Sequence, residues 1–305
     1  MTANAIGKTG VLVEVNNLSK VFSRGKDEVH AVSNLSFIAK PGRVTGFLGP
    51  NGAGKTTTLR CLLELVAPSQ GSATFNGKSY SDLTDPAKHV GVSLGFNGIH
   101  PGRSAYKHLL VFALAAGIEE HRIDEVLELV GLSYARDRKA GSFSTGMKQR
   151  LSLATALLGD PQVLILDEPV NGLDPEGIVE VRHLLRSLAA EGRTVLLSSH
   201  VLSEVEQTVD DVVIVARGRK VKECTLEELI EQARPVVQVS SPTPEKFKTF
   251  SGAVQISGDR ISIVDTSLAK VGNFAFTNNI EIHELREERL DLEQVFLSLT
   301  GASND

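Results

Sequence analysis

Gly49-Pro-Asn-Gly-Ala-Gly-Lys-Thr-Thr57 is the stretch that decides how this chain is read. From Gly49 to Thr56 it fits the pattern G-x-x-x-x-G-K-[ST]. A polyphosphate is a dense negative charge, so binding one takes many donors at short range. Gly49, Gly52 and Gly54 carry no Cβ, which lets the chain turn tightly and aim successive N–H groups at an anion. Lys55 adds a point charge for the β- and γ-phosphates, and the Thr56 hydroxyl suits Mg²⁺. Pro50, Asn51, Ala53 and Thr57 complete the candidate cradle. The surroundings agree: residues 44–48 read as a short buried strand and 56–66 as a helix ended by Ala67-Pro-Ser-Gln-Gly71. A helix N-terminus then faces the phosphates, where its dipole favours negative charge. A ligand-free Gly-rich turn is the bland alternative, and the order strand, loop, Lys-Thr, helix weighs against it.

Working outward, Val163-Leu-Ile-Leu-Asp-Glu-Pro169 is an unbroken apolar run, as in a strand buried on both faces, with two carboxylates at its mouth. Ligands of a doubly wound sheet sit beyond the carboxyl ends of its strands. Asp167 is therefore a candidate Mg²⁺ holder and Glu168 a candidate base that polarises water for attack on the γ-phosphate; a helix-capping or salt-bridged pair is the alternative. His200 follows a strand expected at 194–198 and is placed to donate to the same phosphate, although a lone histidine is more often structural. Phe22 lies in the polar stretch Ser19-Lys-Val-Phe-Ser-Arg-Gly25, and the residues alone leave it open between a hairpin side chain and a stacking platform for a flat base.

The remaining chain alternates strands and helices, which implies a mostly parallel sheet. Strands are expected at 11–15, 35–40, 72–75 (entering a tight turn at Asn76-Gly77), 88–94 and 212–215. Helices are expected at 104–117, 121–132, 147–158 and 176–190, with a short one from Val201. The first two stand between strands and suggest a helical subdomain. Beyond Cys224 the texture changes. Thr225 is placed to cap a helix through Ala233 with Glu228 in a capping box. Strands at 236–240, 253–256, 260–264 and 280–285 with helices at 245–250 and 268–276 resemble a split β-α-β unit. A last helix carries Leu292, Val295, Phe296 and Leu299 on one face.

The 305 residues are enough for two domains. A net charge of −5 argues against a dedicated nucleic-acid or anionic-membrane surface, and Arg217-Gly-Arg-Lys-Val-Lys222 reads as a solvated hairpin. Cys61 and Cys224 make neither a disulfide framework nor a metal spacing, and this usage suits a reducing cytoplasm. No signal peptide is expected. The longest apolar run, Val111-Phe-Ala-Leu-Ala-Ala-Gly-Ile118, falls far short of the roughly 18–20 residues of a membrane span.

Ser142-Phe-Ser-Thr-Gly-Met-Lys-Gln-Arg150 completes the set: Ser144 and Gly146 precede a helix and form a second anion-binding end on the same chain. Together these motifs resemble the nucleotide-binding subunit of ATP-binding cassette transporters over residues 11–223, more weakly beyond. The family's signature Leu-Ser-Gly-Gly-Gln stands here as Phe143-Ser144-Thr145-Gly146-Met147, with the serine and second glycine kept. Asn171-Gly-Leu-Asp174 resembles the D-loop, His200 the switch histidine and Phe22 the adenine-stacking aromatic. The resemblance implies an α/β fold: a P-loop NTPase core with a mostly parallel sheet, an antiparallel β subdomain and a helical signature subdomain at about 99–160. Residues 11–223 would be the ATP-binding domain and 224–305 a small α+β accessory domain. It further implies ATP and Mg²⁺ as cofactors, and two cassettes paired head to tail, Ser144 and Gly146 of one closing on the γ-phosphate at Lys55 of the other. The chain would sit at the cytoplasmic face of the membrane, peripheral through a separate transmembrane permease that the cycle moves, with no transmembrane segment of its own and no nucleic-acid partner. One position departs: the family's glutamine after the strand at 88–94 is Gly95 here, with Asn97 the nearest amide. His100-Pro-Gly-Arg103 and the ending Asp291-Leu-Glu-Gln-Val-Phe-Leu-Ser-Leu-Thr-Gly301 resemble the daunorubicin-resistance type, mostly bacterial drug or lipid exporters. The alternative is a cassette ATPase of translation or DNA repair, whose relatives usually carry two cassettes or a long coiled-coil insertion. A phosphate-loop GTPase or small-molecule kinase would leave the signature stretch unexplained.

Overall fold

The computed structural model describes residues 10–24, 27–96, 98–232, 235–251, 254–264, 266–289 and 292–301; the expectations that fall on Ala233, Ala253 and Asp291 lie outside them. The chain divides into two compact units, the first ending at Leu226 and the second beginning at Glu227.

In the first unit, β1 (Val13–Arg24) and β2 (Asp27–Ala39) form a long antiparallel hairpin, followed by β3 (Val44–Leu48), α1 (Lys55–Leu62), β4 (Gln70–Phe75), α2 (Pro86–His89) and β5 (Val90–Ser93). Three helices come next, α3 (Ala105–Ala116), α4 (His121–Leu129) and α5 (Thr145–Leu157). The unit continues with β6 (Val163–Asp167), α6 (Pro175–Ala190), β7 (Thr194–Ser199), α7 (Leu202–Val205), β8 (Asp211–Ala216) and β9 (Arg219–Thr225). Among the described residues, a six-stranded sheet runs in the order β5-β6-β7-β3-β8-β9, parallel except for β9, and a three-stranded antiparallel sheet runs β2-β1-β4. Strands β3 and β6 are apolar on both faces because both are covered, and residues 163–166 are wholly buried. The small sheet and α1 cover one face: Val15, Leu35 and Phe37 meet Leu59, Leu62, Phe47, Ile165 and Leu196 in one core, with the Phe37 and Phe47 rings stacked at 5.0 Å.

Two expectations shift for a physical reason. Helix α1 ends at Leu62 rather than at 66 because Glu64 takes a left-handed φ of 54°. The Glu64 N–H then bonds to Cys61 O and the Leu65 N–H to Arg60 O, the paired bonds of a Schellman turn, with glutamate in the position that glycine usually takes. Strands β1 and β2 are longer than their apolar alternation suggested, since register shifts near Leu18 and Lys20 move polar residues out of phase.

The second unit contains α8 (Leu226–Gln232, beginning one residue before it), β10 (Pro235–Ser240), β11 (Val254–Ser257), β12 (Arg260–Val264), α9 (Leu268–Thr277), β13 (Glu284–Arg289) and α10 (Leu292–Thr300). Its sheet order is β11-β12-β10-β13. Strands β12 and β13 both run antiparallel to β10 and flank it, with α9 between them in sequence, which is a split β-α-β arrangement. The last strand begins at Glu284, not at 280. Asn279 closes α9 at φ 50°, so Ile280 turns back onto the core formed by Val237, Ile261 and Val271. Residues 244–249 form a 3₁₀ helix.

Among the described residues no helix is long and apolar enough to cross a membrane. Ile165→Ala, at a wholly buried position of β6, is expected to lower unfolding free energy by about 2–5 kcal/mol, read from urea denaturation of the full chain. A loss below about 1 kcal/mol would contradict the packing described for this strand.

Candidate active site

The phosphate loop joins β3 to α1, and its geometry follows from close approach. Gly54 sits at φ 97°, and a Cβ there would lie 2.3 Å from Ala31 O, so only glycine fits between the loop and β2. The Lys55 side chain is 7% exposed, and its Nζ donates to Gly49 O at 2.6 Å and Pro50 O at 3.2 Å. Burial pushes the Lys55 ammonium below its ordinary pKa, and the Glu168 and Asp167 carboxylates pull it back up. A cleft of about 270 Å³ opens here, walled by the loop from Asn51 to Thr57, by Val29 and His30 of β2, and by Glu168.

Strand β6 delivers the carboxylates. The Thr56 hydroxyl donates to Asp167 Oδ2 at 2.7 Å. Since β7 lies between β6 and β3 in the sheet, this contact crosses the end of β7. A residue of β7, Ser198, completes the crossing: its hydroxyl donates to Asp167 Oδ1 and accepts from the Glu168 N–H at 3.1 Å. Glu168 itself has a left-handed φ of 51°. Its Oε1 is 3.8 Å from Lys55 Nζ and its Oε2 is 2.7 Å from His200 Nδ1. Lys55, Thr56, Asp167, Glu168 and His200 thus meet in one place. Phe22 lies on β1 opposite Val29, 42% exposed, with Lys20 Nζ 4.9 Å from its ring centre; it stands beside the cleft without lining it.

Ser144, Gly146 and Asp174 lie elsewhere. Ser144 caps α5, its Oγ accepting from the Met147 N–H at 3.2 Å, and Asp174 caps α6, its Oδ1 accepting from the Gly177 N–H at 3.1 Å. They line a second cleft of about 590 Å³ together with Gly172, Tyr134 and Arg150. The two clefts share no lining residue. The Gly95 position has φ 87° and its carbonyl accepts from Ser152 Oγ at 3.0 Å; Asn97 lies outside the described residues.

The residues fit a hard divalent cation to a limited extent. Thr56 and Asp167 offer two converging oxygens, and the described residues contain no cluster of three or more His, Cys, Asp or Glu that could hold a metal. That suits Mg²⁺, which commonly takes one or two protein oxygens and completes its shell with phosphates and water. Ser198 had no motif to announce it, because its role depends on strand order. Gln149 has no role in the motifs and nothing local marks it; only the fold shows it buried, at 3% exposed.

Lys55→Met removes a buried ammonium while keeping the side chain's volume. The nucleotide-free variant is expected to unfold within about 1 kcal/mol of the wild type. The stabilisation of about 2.7 kcal/mol that a ligand gives at a hundredfold excess over its Kd should vanish for ATP. Thermal melts with and without ATP measure both, and an undiminished ATP effect would contradict the placement of Lys55.

The ABC transporter family model matches residues 32–171. The bacitracin transport ATP-binding protein BcrA of Bacillus licheniformis is 36% identical, with 95% of this chain and 97% of that protein covered. The Nod factor export ATP-binding protein I of Burkholderia pseudomallei (strain 1710b) is 37% identical over 90% of this chain and 93% of that protein. A solved ATP-binding subunit of an ABC transporter superposes with a TM-score of 0.64 at 29% identity, covering 72% of this chain and 92% of that one. With the cradle and its carboxylates in place, these likenesses show that the chain belongs to the ATP-binding, ATP-hydrolysing proteins of ABC transporters.

Proposed function

We propose that this chain powers an exporter of drugs, lipids or other hydrophobic compounds, pairing head to tail with a second cassette and driving a separate membrane permease. The observation that carries the pairing is the separation of the clefts: Lys55 lines one, Ser144 and Gly146 the other. One chain therefore offers half of each site, and a second copy or a related cassette supplies the other half. The names of the relatives, one for bacitracin transport and one for Nod factor export, support an export role. The chain would work at the cytoplasmic face of the membrane, held there by the permease. Residues 11–223 would carry the ATP machinery and 224–305 an accessory domain.

Each residue then has a task. Gly49 to Thr57 wrap the phosphates with backbone N–H groups, and Lys55 exchanges its contacts with Gly49 O and Pro50 O for the β- and γ-phosphates. Phe22 stacks on the adenine. Thr56 and Asp167 would hold Mg²⁺, whose charge would offset that of the phosphates. Glu168 orients and polarises the attacking water, and His200, with Nδ1 toward Glu168, presents Nε2 to the γ-phosphate. Ser144 and Gly146 of the second cassette close over that phosphate, and Asp174 borders the same contact. Hydrolysis removes the γ-phosphate that both copies grip, so the pair loosens and the permease is reset.

Glu168→Gln is expected to bind ATP, to hydrolyse it at least about a hundredfold more slowly, and to accumulate as an ATP-bound dimer in sedimentation. Hydrolysis near the wild-type rate would reject Glu168 as the base. Gly95→Gln restores the family's amide at a left-handed position, at a backbone cost of about 1–2 kcal/mol. It is expected to change basal or permease-stimulated turnover. If neither rate moved in reconstituted transporter, an amide at this position would be irrelevant to this chain.

A further inference from the structure

Glu168 is held by its backbone as much as by its side chain. At φ 51° it occupies a region that disfavours residues bearing a Cβ, so surrounding bonds must keep it there. Its N–H is fixed by Ser198 Oγ, and its carbonyl accepts from the Asn171 N–H at 3.2 Å. The same carbonyl accepts a second bond, at 3.2 Å, from Nε2 of Gln149 on α5. Only the amide nitrogen of Gln149 can donate to a carbonyl, so the partner sets the amide's orientation. Gln149 is 3% exposed, and its side chain takes no part in either cleft.

We infer that Gln149 is a positioning residue for Glu168, tying the aim of that carboxylate to the helix whose N-terminus carries Ser144 and Gly146. The inference rests on the proposed role of Glu168 as base. Helix α5 rises about 1.5 Å per residue, so the capping serine and the clamp sit within two turns on one rigid rod. A displacement of the Ser144 end as it engages the partner's nucleotide shifts the donor that holds the Glu168 carbonyl. The hydrolytic competence of one site is thereby linked to engagement at the other through one side chain.

Two variants test this. Gln149→Met keeps the length and bulk of the side chain and drops the donor. It is expected to lower kcat about tenfold, with KM for ATP held within about twofold and the thermal midpoint unchanged. Gln149→Glu can donate to the carbonyl only while its carboxyl is protonated. Taken against the wild type at each pH, so that acid effects common to both cancel, the ratio of its kcat to the wild-type kcat is expected to rise as pH falls. A wild-type kcat in Gln149→Met, a parallel loss of ATP affinity and thermal midpoint, or a Gln149→Glu to wild-type kcat ratio that does not rise as pH falls would overturn the inference. Hydrolysis retained in Glu168→Gln would instead overturn the reading of the base. Hydrolysis lost there and intact in Gln149→Met would overturn this inference alone.

Discussion

A triphosphate concentrates negative charge that only converging, pre-aimed donors can satisfy, and the first unit is arranged around that need. The loop from Gly49 to Thr57 leaves β3, a strand near the middle of the sheet, and ends in α1, whose N-terminal N–H groups face the same point. Keeping the lysine in the cradle has a cost. Its ammonium is nearly buried, and two loop carbonyls and the nearby carboxylates offset the lost hydration. The ammonium is thus already desolvated, and its bonds to Gly49 O and Pro50 O are the ones an incoming phosphate would replace.

Sheet order turns distant stretches of sequence into one site. Residues 111 positions apart, Thr56 and Asp167, touch because β6 and β3 are separated only by β7. The strand between them contributes Ser198, which grips both Asp167 and the Glu168 N–H, and His200 just beyond its end. The signature helix reaches Glu168 from another side, through Gln149. Carboxylate placement therefore depends on three elements that share no local sequence.

That dependence separates what the sequence revealed from what it hid. The phosphate loop, the apolar run 163–166 and the cap at Ser144 are local signals, with backbone and side chain a few residues apart, and they were legible, whereas Asp174 was named only through the resemblance of Asn171-Gly-Leu-Asp174 to the D-loop. The end of α1 was not. Leu63, Leu65 and Val66 extend the apolar spacing, while the left-handed turn at Glu64 uses a residue with no glycine-like warning. The long hairpin of β1 and β2 was hidden by bulges that break its alternation. Ser198 and Gln149 were hidden for a different reason: a serine before a histidine and a glutamine in a helix acquire meaning only from their neighbours in space. Phe22, whose residues alone left it undecided, stands beside the cleft on the strand next to Val29.

The central claim is that each ATP is held by two cassettes, the lysine of one and the serine helix end of the other. Trans-complementation tests it most directly. Lys55→Met and Ser144→Arg, each purified folded and each inactive alone, are mixed and assayed for ATP hydrolysis. Where the two pair, one composite site has both Lys55 and Ser144 intact, so the mixture is expected to regain activity that neither variant shows. A mixture that forms mixed dimers yet stays as inactive as its components would contradict the account.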